Sequence, residues 1–264
     1  MGKQIFNLGD FVIQVICTTF ASQMDCLNIP MPKRVLTGSA LKIIAILTMA
    51  IDHIASHLLR YQEAFTAPLI TYHDHYISWY FLLRCVGRLA FPIFAFLIVE
   101  GFIHTRDRRR YGRNLLVCAL ISEIPWALTH HGFHLMGHNV IFTLFWGFLG
   151  LCVIECYRSD WRKVGSILVA MMVAAIFFRA DYNASGFALI VMLYVLRRHL
   201  ALQVLVGCTM LPMKWVAGLA LIPIAMYNGE RGFIRGTWGK YLFYAFYPLH
   251  LLVIWMVKQA MGIG

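Results

Sequence analysis

The chain has 264 residues, 60% of them hydrophobic and only 13% charged, with a formal charge of +11 and a mean hydropathy of +0.69. Soluble domains carry nearer ~25% charged residues, so composition excludes an ordinary soluble fold and points to an all-α, polytopic membrane protein. Seven scattered cysteines form no C-x-x-C pair, which argues against a zinc or disulfide framework.

Residues 1–37 form an N-terminal extension. Its apolar stretch 11–20 is short for a bilayer span and reads as an interfacial helix or a failed signal-like segment without a clear small-residue cleavage site, and Pro30, Pro32, Lys33 and Arg34 close it with a basic, helix-breaking approach. A transmembrane domain, 38–264, follows. Its apolar runs predict about nine spans (8–10), near 39–59, 79–103, 114–129, 139–157, 164–178, 184–196, 200–213, 215–228 and 241–257. Of the 23 Lys and Arg, three (Lys42, Arg84, Arg88) lie inside spans. Four (Arg60, Arg179, Lys214, Lys258) fall in loops on one side of the alternation, and the other sixteen on the opposite side. That asymmetry predicts a cytoplasmic N-terminus and an outer C-terminus, because cytoplasmic loops are rich in Lys and Arg. It also explains the basic excess without a nucleic-acid partner. The outer loops collect histidines instead: His57, His73, His75, His130, His131, His134 and His138.

The first span carries Asp52 and His53 side by side, with His57 one turn on. Ionisable groups at membrane depth are costly and mark sites or pathways. At ~1.5 Å per residue, His53 lies about 16 Å above Lys42, in the outer half of the membrane. Arg84 and Arg88 on the descending second span, Glu123 on the third and His250, after Tyr247-Pro248, on the last reach a similar stratum. One reading is interhelical ion pairs such as Asp52–Arg88 or Glu123–Arg88, with His250 as a core histidine. The sharper reading is an active centre, with His53 as general base.

At the inner end of the second span, Glu100-Gly101 and His104 lead into Arg106, Arg108, Arg109, Arg110 and Arg113. Five arginines in eight positions suit anionic headgroups or a phosphate clamp for a nucleotide-bearing ligand. Asn228 to Gly232, with Arg231, reads as a second flexible basic loop on that side. Neither a Walker nor a dinucleotide glycine pattern is present, and no metal is predicted, since no H-E-x-x-H or Cys pair supplies three or four ligands.

The ordered motifs Leu41-Lys-Ile-Ile-Ala-Ile-Leu-Thr-Met-Ala-Ile-Asp52-His53, Gly87-Arg88-Leu-Ala-Phe-Pro92, Glu100-Gly101 with His104-Thr105-Arg106, Ile121-Ser-Glu123-Ile-Pro125, Asn228-Gly-Glu-Arg231-Gly232 and Tyr247-Pro248-Leu-His250 together resemble the TraX family. The resemblance covers roughly residues 38–258. It implies a bacterial inner-membrane protein of conjugal transfer, implicated in N-acetylation of F-type pilin. It extends to the wider transmembrane acyltransferases, among them the OafA-type sugar O-acetyltransferases and the lysosomal heparan glucosaminide N-acetyltransferase. This chain has Lys42 where OafA-type proteins usually show Arg, and Glu100-Gly101 where they show Ser-Gly.

The resemblance implies acetyl-CoA as donor, docking on the arginine cluster with Glu100, His104 and Arg231, and pilin as acceptor near His57, Tyr247 and His250. His53 would be the base with Asp52 orienting its ring, and Arg88 would hold Glu123 or polarise the thioester. Direct transfer and an acetyl-histidine intermediate are both compatible with these residues. So are an O-acyltransferase acting on an envelope glycan or lipid, and a proton-coupled transporter or pilus assembly factor using Asp52, Glu123 and His250.

Overall fold

The computed structural model describes residues 33–72, 75–130, 137–198, 203, 219–234 and 236–262, and over these the protein is a helical bundle with one small hairpin. Helix α1 (Gly38–His57) leads through a 3-10 turn (Leu59–Tyr61) and α2 (Glu63–Thr66) into an antiparallel hairpin, β1 (Ile70–Tyr72) and β2 (His75–Ile77), in which Ile70 pairs with Ile77. There follow α3 (Trp79–Gly87), α4 (Ala90–His104), α5 (Arg108–Thr129), α6 (Val140–Cys156), α7 (Trp161–Phe178), α8 (Asn183–Val195), α9 (Leu221–Ala225) and α10 (Gly236–Ala260). Residues 1–32, His73, His131, His134, Lys214 and the expected span 200–213 lie outside the described residues, apart from Gln203.

Loop chemistry sets the helix starts. Thr37, Ser78, Asp107, Asn139 and Asp160 each accept a first-turn backbone N–H with their side chains. The second predicted span is one apolar run in two helices. Pro92 cannot donate to the Arg88 carbonyl, and the chain turns at Arg88 and Leu89 between α3 and α4.

Helix α4 is apolar all round and lies at the centre, with 9 of its 15 residues buried, from Ala90 to Phe102. Leu41 and Ala45 of α1, Leu144, Phe148 and Leu151 of α6, and Leu189, Ile190 and Leu193 of α8 share its core. Helices α6 and α8 approach through small residues: a Cβ on Gly147 would sit 2.3 Å from Ile190, and one on Gly186 would sit 2.6 Å from Thr143. Helix α7 is the opposite case, burying only Ala175 and leaving Val169 61% and Phe177 79% exposed. An apolar face of that extent is unsuited to water and suited to lipid.

Among the described residues, four helical segments are long and apolar enough to cross a membrane: Gly38–Tyr61, Trp79–His104, Trp161–Phe178 and Tyr241–Ala260. Val140–Cys156 and Asn183–Val195 are apolar but shorter, α5 is long but opens on three arginines, and the described part of the expected span 215–228 holds the short α9.

The long helices alternate in direction, so the loops gather at two ends. At a basic end, Leu36 bridges Tyr227, Arg108 meets Glu155 at 3.7 Å and Tyr194 donates to Glu155. The loop expected there to be flexible is instead a clasp on the start of α1. The carbonyls of Glu230 and Arg231 accept from the N–H groups of Gly38 (2.8 Å) and Ser39 (3.0 Å), donors that a helix start leaves unpaired. The Ser39 hydroxyl donates to the Arg231 carbonyl (2.8 Å) and accepts from Ile234 N–H (2.9 Å). Gly232, at φ +85°, lies where a Cβ would strike Thr37. At the other, histidine end are the ends of α1, α5, α7 and α10 and the starts of α3, α6 and α8.

Candidate functional site

His53 and Asp52, adjacent in sequence, face different neighbours. The His53 Nδ1 lies 2.6 Å from His250 Nε2, with the rings stacked at 4.9 Å between centroids. His250 Nδ1 in turn lies 2.9 Å from the Phe246 carbonyl. A carbonyl only accepts, so His250 Nδ1 carries the proton and its Nε2 is the acceptor in the neutral ring. His53 Nδ1–H therefore donates to His250, and the His53 Nε2 lone pair is left available. That is the tautomer a general base needs.

Asp52 does not orient His53. Its carboxylate accepts from Arg84 on α3 at 2.6 Å. Gly87 admits it, since a Cβ there would lie 2.1 Å from Asp52 Oδ1. Nor does Arg88 hold Glu123. Arg88 Nη1 approaches the Tyr182 hydroxyl at 3.5 Å. Glu123 accepts from Asn139 Nδ2 at 2.6 Å and meets His138 at 2.9 Å. It thereby clamps the start of α6, away from the other four residues of the expected stratum.

His53 opens on a cavity of about 410 Å³ at the histidine end, lined also by Asp52, His57, Arg84, Arg88, Trp126 and His130. His130 stacks on Trp126 (3.8 Å) and meets His57 edge to face (4.7 Å). His57 thus lies where an acceptor was expected, whereas His250 stands behind His53 and does not line the cavity. The same cavity takes Asp181, Tyr182 and Lys258, which lie outside the expected spans. Burial pushes the Asp181 carboxyl above the usual carboxylate range, opposed by Arg88. Its turn is held in an unusual backbone, with positive φ at Arg179, Tyr182 and Asn183, and Tyr182 stacked on Phe91. Non-glycine residues adopt that conformation rarely, and such backbone strain gathers at functional sites.

A second cavity, of about 720 Å³, opens at the basic end. Polar groups form its rim: Lys42, Glu100, His104, Arg110 and Arg231. Its walls inward are apolar and aromatic, including Leu97, Leu144, Phe243, Tyr244 and Tyr247. Tyr247 therefore belongs to this side, not to the acceptor side. Of the five clustered arginines only Arg110 reaches the cavity; Arg106, Arg109 and Arg113 are exposed away from it. Arg108 is committed to Glu155 and to the face of Phe102, 4.2 Å from its centroid. Burial, with Glu100 beside it, pushes the Tyr227 phenol up to about 12, so it stays a neutral donor on the cavity wall. Lys42, missed as a ligand group, stood in the sequence as the lone cation early in the first span.

The two cavities are neighbours: Met49, Phe94 and Val140 line both, and Met49 is one helical turn below His53, which lines the second. A ligand reaching inward from the basic end and one entering from the histidine end would approach each other across these three residues. Among the described residues, no group of three or more His, Cys, Asp or Glu is arranged to hold a metal ion.

Comparison with known proteins agrees with this arrangement of motifs. The chain is 29% identical over 248 residues, spanning 83% of itself and 94% of the relative, to a protein of Dichelobacter nodosus described as "Probable fimbrial assembly protein FimC". No solved structure matches it. The family model described as "TraX protein" matches residues 37–258, which carry both cavities and the histidine pair, and the chain belongs to the TraX family.

Proposed function

We propose that the protein is a membrane-embedded acetyltransferase that moves acetyl from acetyl-CoA, bound at the basic end, to the N-terminal amine of a pilin subunit presented at the histidine end. The observation that carries this reading is the pair of neighbouring cavities that share Met49, Phe94 and Val140 as wall, with His53, held by His250, one helical turn beyond Met49 on the lining of the second. The TraX resemblance supplies pilin as acceptor, and similarity to a fimbrial assembly protein supports a pilus-related role. The bundle sits in the inner membrane with its basic end in the cytoplasm, as the loop charges favour.

Lys42, Arg110 and Arg231 hold the phosphates of acetyl-CoA, and the pantetheine arm follows the apolar walls toward Met49. The amine nitrogen attacks the thioester carbonyl carbon, forming the C–N bond as the C–S bond breaks. His53 Nε2 takes the amine proton and returns it to the departing thiolate, giving the acetamide and free CoA. His250 holds the ring in the competent tautomer. Asp52 and Arg84 fix α1 against α3 so that His53 keeps its aim.

The test is the intact mass of mature pilin co-expressed with wild type or with His53→Ala, with both forms assayed in the membrane fraction. One added acetyl with wild type and none with the variant is the expected result. Unmodified pilin with wild type would overturn the activity, and acetylation by His53→Ala would overturn the base.

A further inference from the structure

We infer that the histidine-end cavity takes an acidic peptide: an acceptor with a carboxylate side chain close to the terminus that receives the acyl group. The inference rests on the reading of that cavity as the acceptor site. Its lining holds four cations, Arg60, Arg84, Arg88 and Lys258, against two carboxylates, Asp52 and Asp181. Asp52 Oδ2 is paired with Arg84, while its Oδ1 is buried without a hydrogen-bond partner among the described residues, and an Asp181 oxygen accepts from the Tyr182 backbone N–H at 3.2 Å.

Arg88 is left without an ion pair among the described residues. Its Nε is buried and has no hydrogen-bond partner among the described residues. A guanidinium donor withdrawn from water without an acceptor is costly, and a carboxylate is the group whose paired oxygens fit its fork. Arg60 lies at the exposed rim above, stacked over Tyr61 at 5.3 Å, and among the described residues forms no ion pair either. Positive charge thus runs from the mouth to the depth of the cavity.

An N-terminal ammonium alone is poorly matched to such a lining. A nearby acidic side chain offsets the repulsion, and the remaining cation excess favours the neutral, nucleophilic form of the amine. The lining is drawn from α1, α3, α4, α5, α6, α10 and the turn before α8. Helices therefore ring the cavity, and its way in is the end of the bundle, a route for a peptide terminus rather than a two-chain lipid.

The test is equilibrium binding to the full chain in lipid nanodiscs, read by fluorescence anisotropy. The probes are two decapeptides with free N-termini and C-terminal dyes, differing only by Glu or Gln at positions near the N-terminus. About tenfold tighter binding of the Glu peptide is expected, in keeping with one charge-assisted contact. Arg88→Gln and Arg60→Gln should each bring the ratio toward one, while Arg88→Lys, which keeps the charge, retains a preference and guards against misfolding as the cause. Equal binding of the two peptides by wild type overturns the inference. Displacement of the Glu peptide by dioctanoyl phosphatidylglycerol, but not by the dioctanoyl phosphatidylcholine control, would assign the cations to a lipid headgroup and overturn it too. Acetylation of the same peptides is scored separately. Preference without turnover would leave the acidic subsite standing and remove the acetyltransferase reading.

Discussion

The two cavities share three residues and are otherwise built on different plans. At the basic end the polar groups sit on the rim, and the interior is apolar wall from Leu97 to Tyr247. At the histidine end charges and rings reach into the interior and engage each other: Asp52 with Arg84, His53 with His250, His130 with Trp126. A chamber of the first kind holds a long ligand by its charged end and lets the rest slide. One of the second kind fixes a few atoms in place. A donor with a phosphate-bearing head and a flexible arm suits the first, and the bond-making step suits the second.

That division of labour is broken most directly at His53. Loss of a positioned base costs about 10²–10⁴-fold in rate. His53→Ala should therefore lower the turnover of acetyl-CoA by that order in a proteoliposome assay, with acetyl-CoA binding unchanged. His57→Ala, in the same cavity but without a ring nitrogen on His250, should lose far less. Equal losses would mean the cavity works as a charged surface and not through one base.

His250 comes next. Its removal leaves the His53 Nδ1–H without an acceptor, so the ring loses both its orientation and its preference for the base-competent tautomer. A fall of about 10–10²-fold in kcat is expected for His250→Ala, with the KM for acetyl-CoA unmoved. His250→Gln, whose amide oxygen can still accept, should recover part of it. Asp52→Asn separates the two roles. It leaves a half-buried arginine without its charged partner and should appear first as lost thermal stability, about 1–3 kcal/mol.

At the basic end the effects are smaller and fall on binding. Arg110→Gln or Arg231→Gln should raise the KM for acetyl-CoA about tenfold, the value of one charge-assisted phosphate contact, with kcat little changed. Arg109→Gln, one residue from Arg110 but turned from the cavity, should leave both constants near wild type. A loss with Arg109→Gln equal to that with Arg110→Gln would return the phosphate site to the whole arginine cluster.

Much of this was legible in the sequence, and what was not has a geometric cause. The apolar runs coincide with most of the described helices. Five of the residues flagged as one stratum lie in the same half of the bundle, but their pairings escaped. Consecutive residues on a helix point about 100° apart, so Asp52 turns to α3 while His53 turns to α10. Height along a span locates a residue and says nothing of its azimuth, which is why Glu123 was matched to Arg88 instead of to Asn139. The same rotation leaves Arg110 facing the basic cavity and sends Arg109 and Arg113 outward. Asp181 and Tyr182 escaped because a tight turn with positive φ at non-glycine residues has no periodic signature.

The smallest expected effect tests the clasp that joins the basic cavity to the start of α1. Ser39 is 1% exposed, and its hydroxyl bridges the Arg231 carbonyl and the Ile234 N–H. Alanine there removes both bonds and leaves the Ile234 donor short of a partner, a loss of about 1–2 kcal/mol. Unfolding in detergent should begin about 2–6 °C lower, by the usual scaling for a chain of this size. Because Arg231 lines the cavity and its own carbonyl is what Ser39 holds, the KM for acetyl-CoA should rise as well, by less than with Arg231→Gln. A stability loss with no change in KM would mean that the loop positions Arg231 without the Ser39 hydroxyl, through the backbone contacts of Gly38, residue 39 and Asn228.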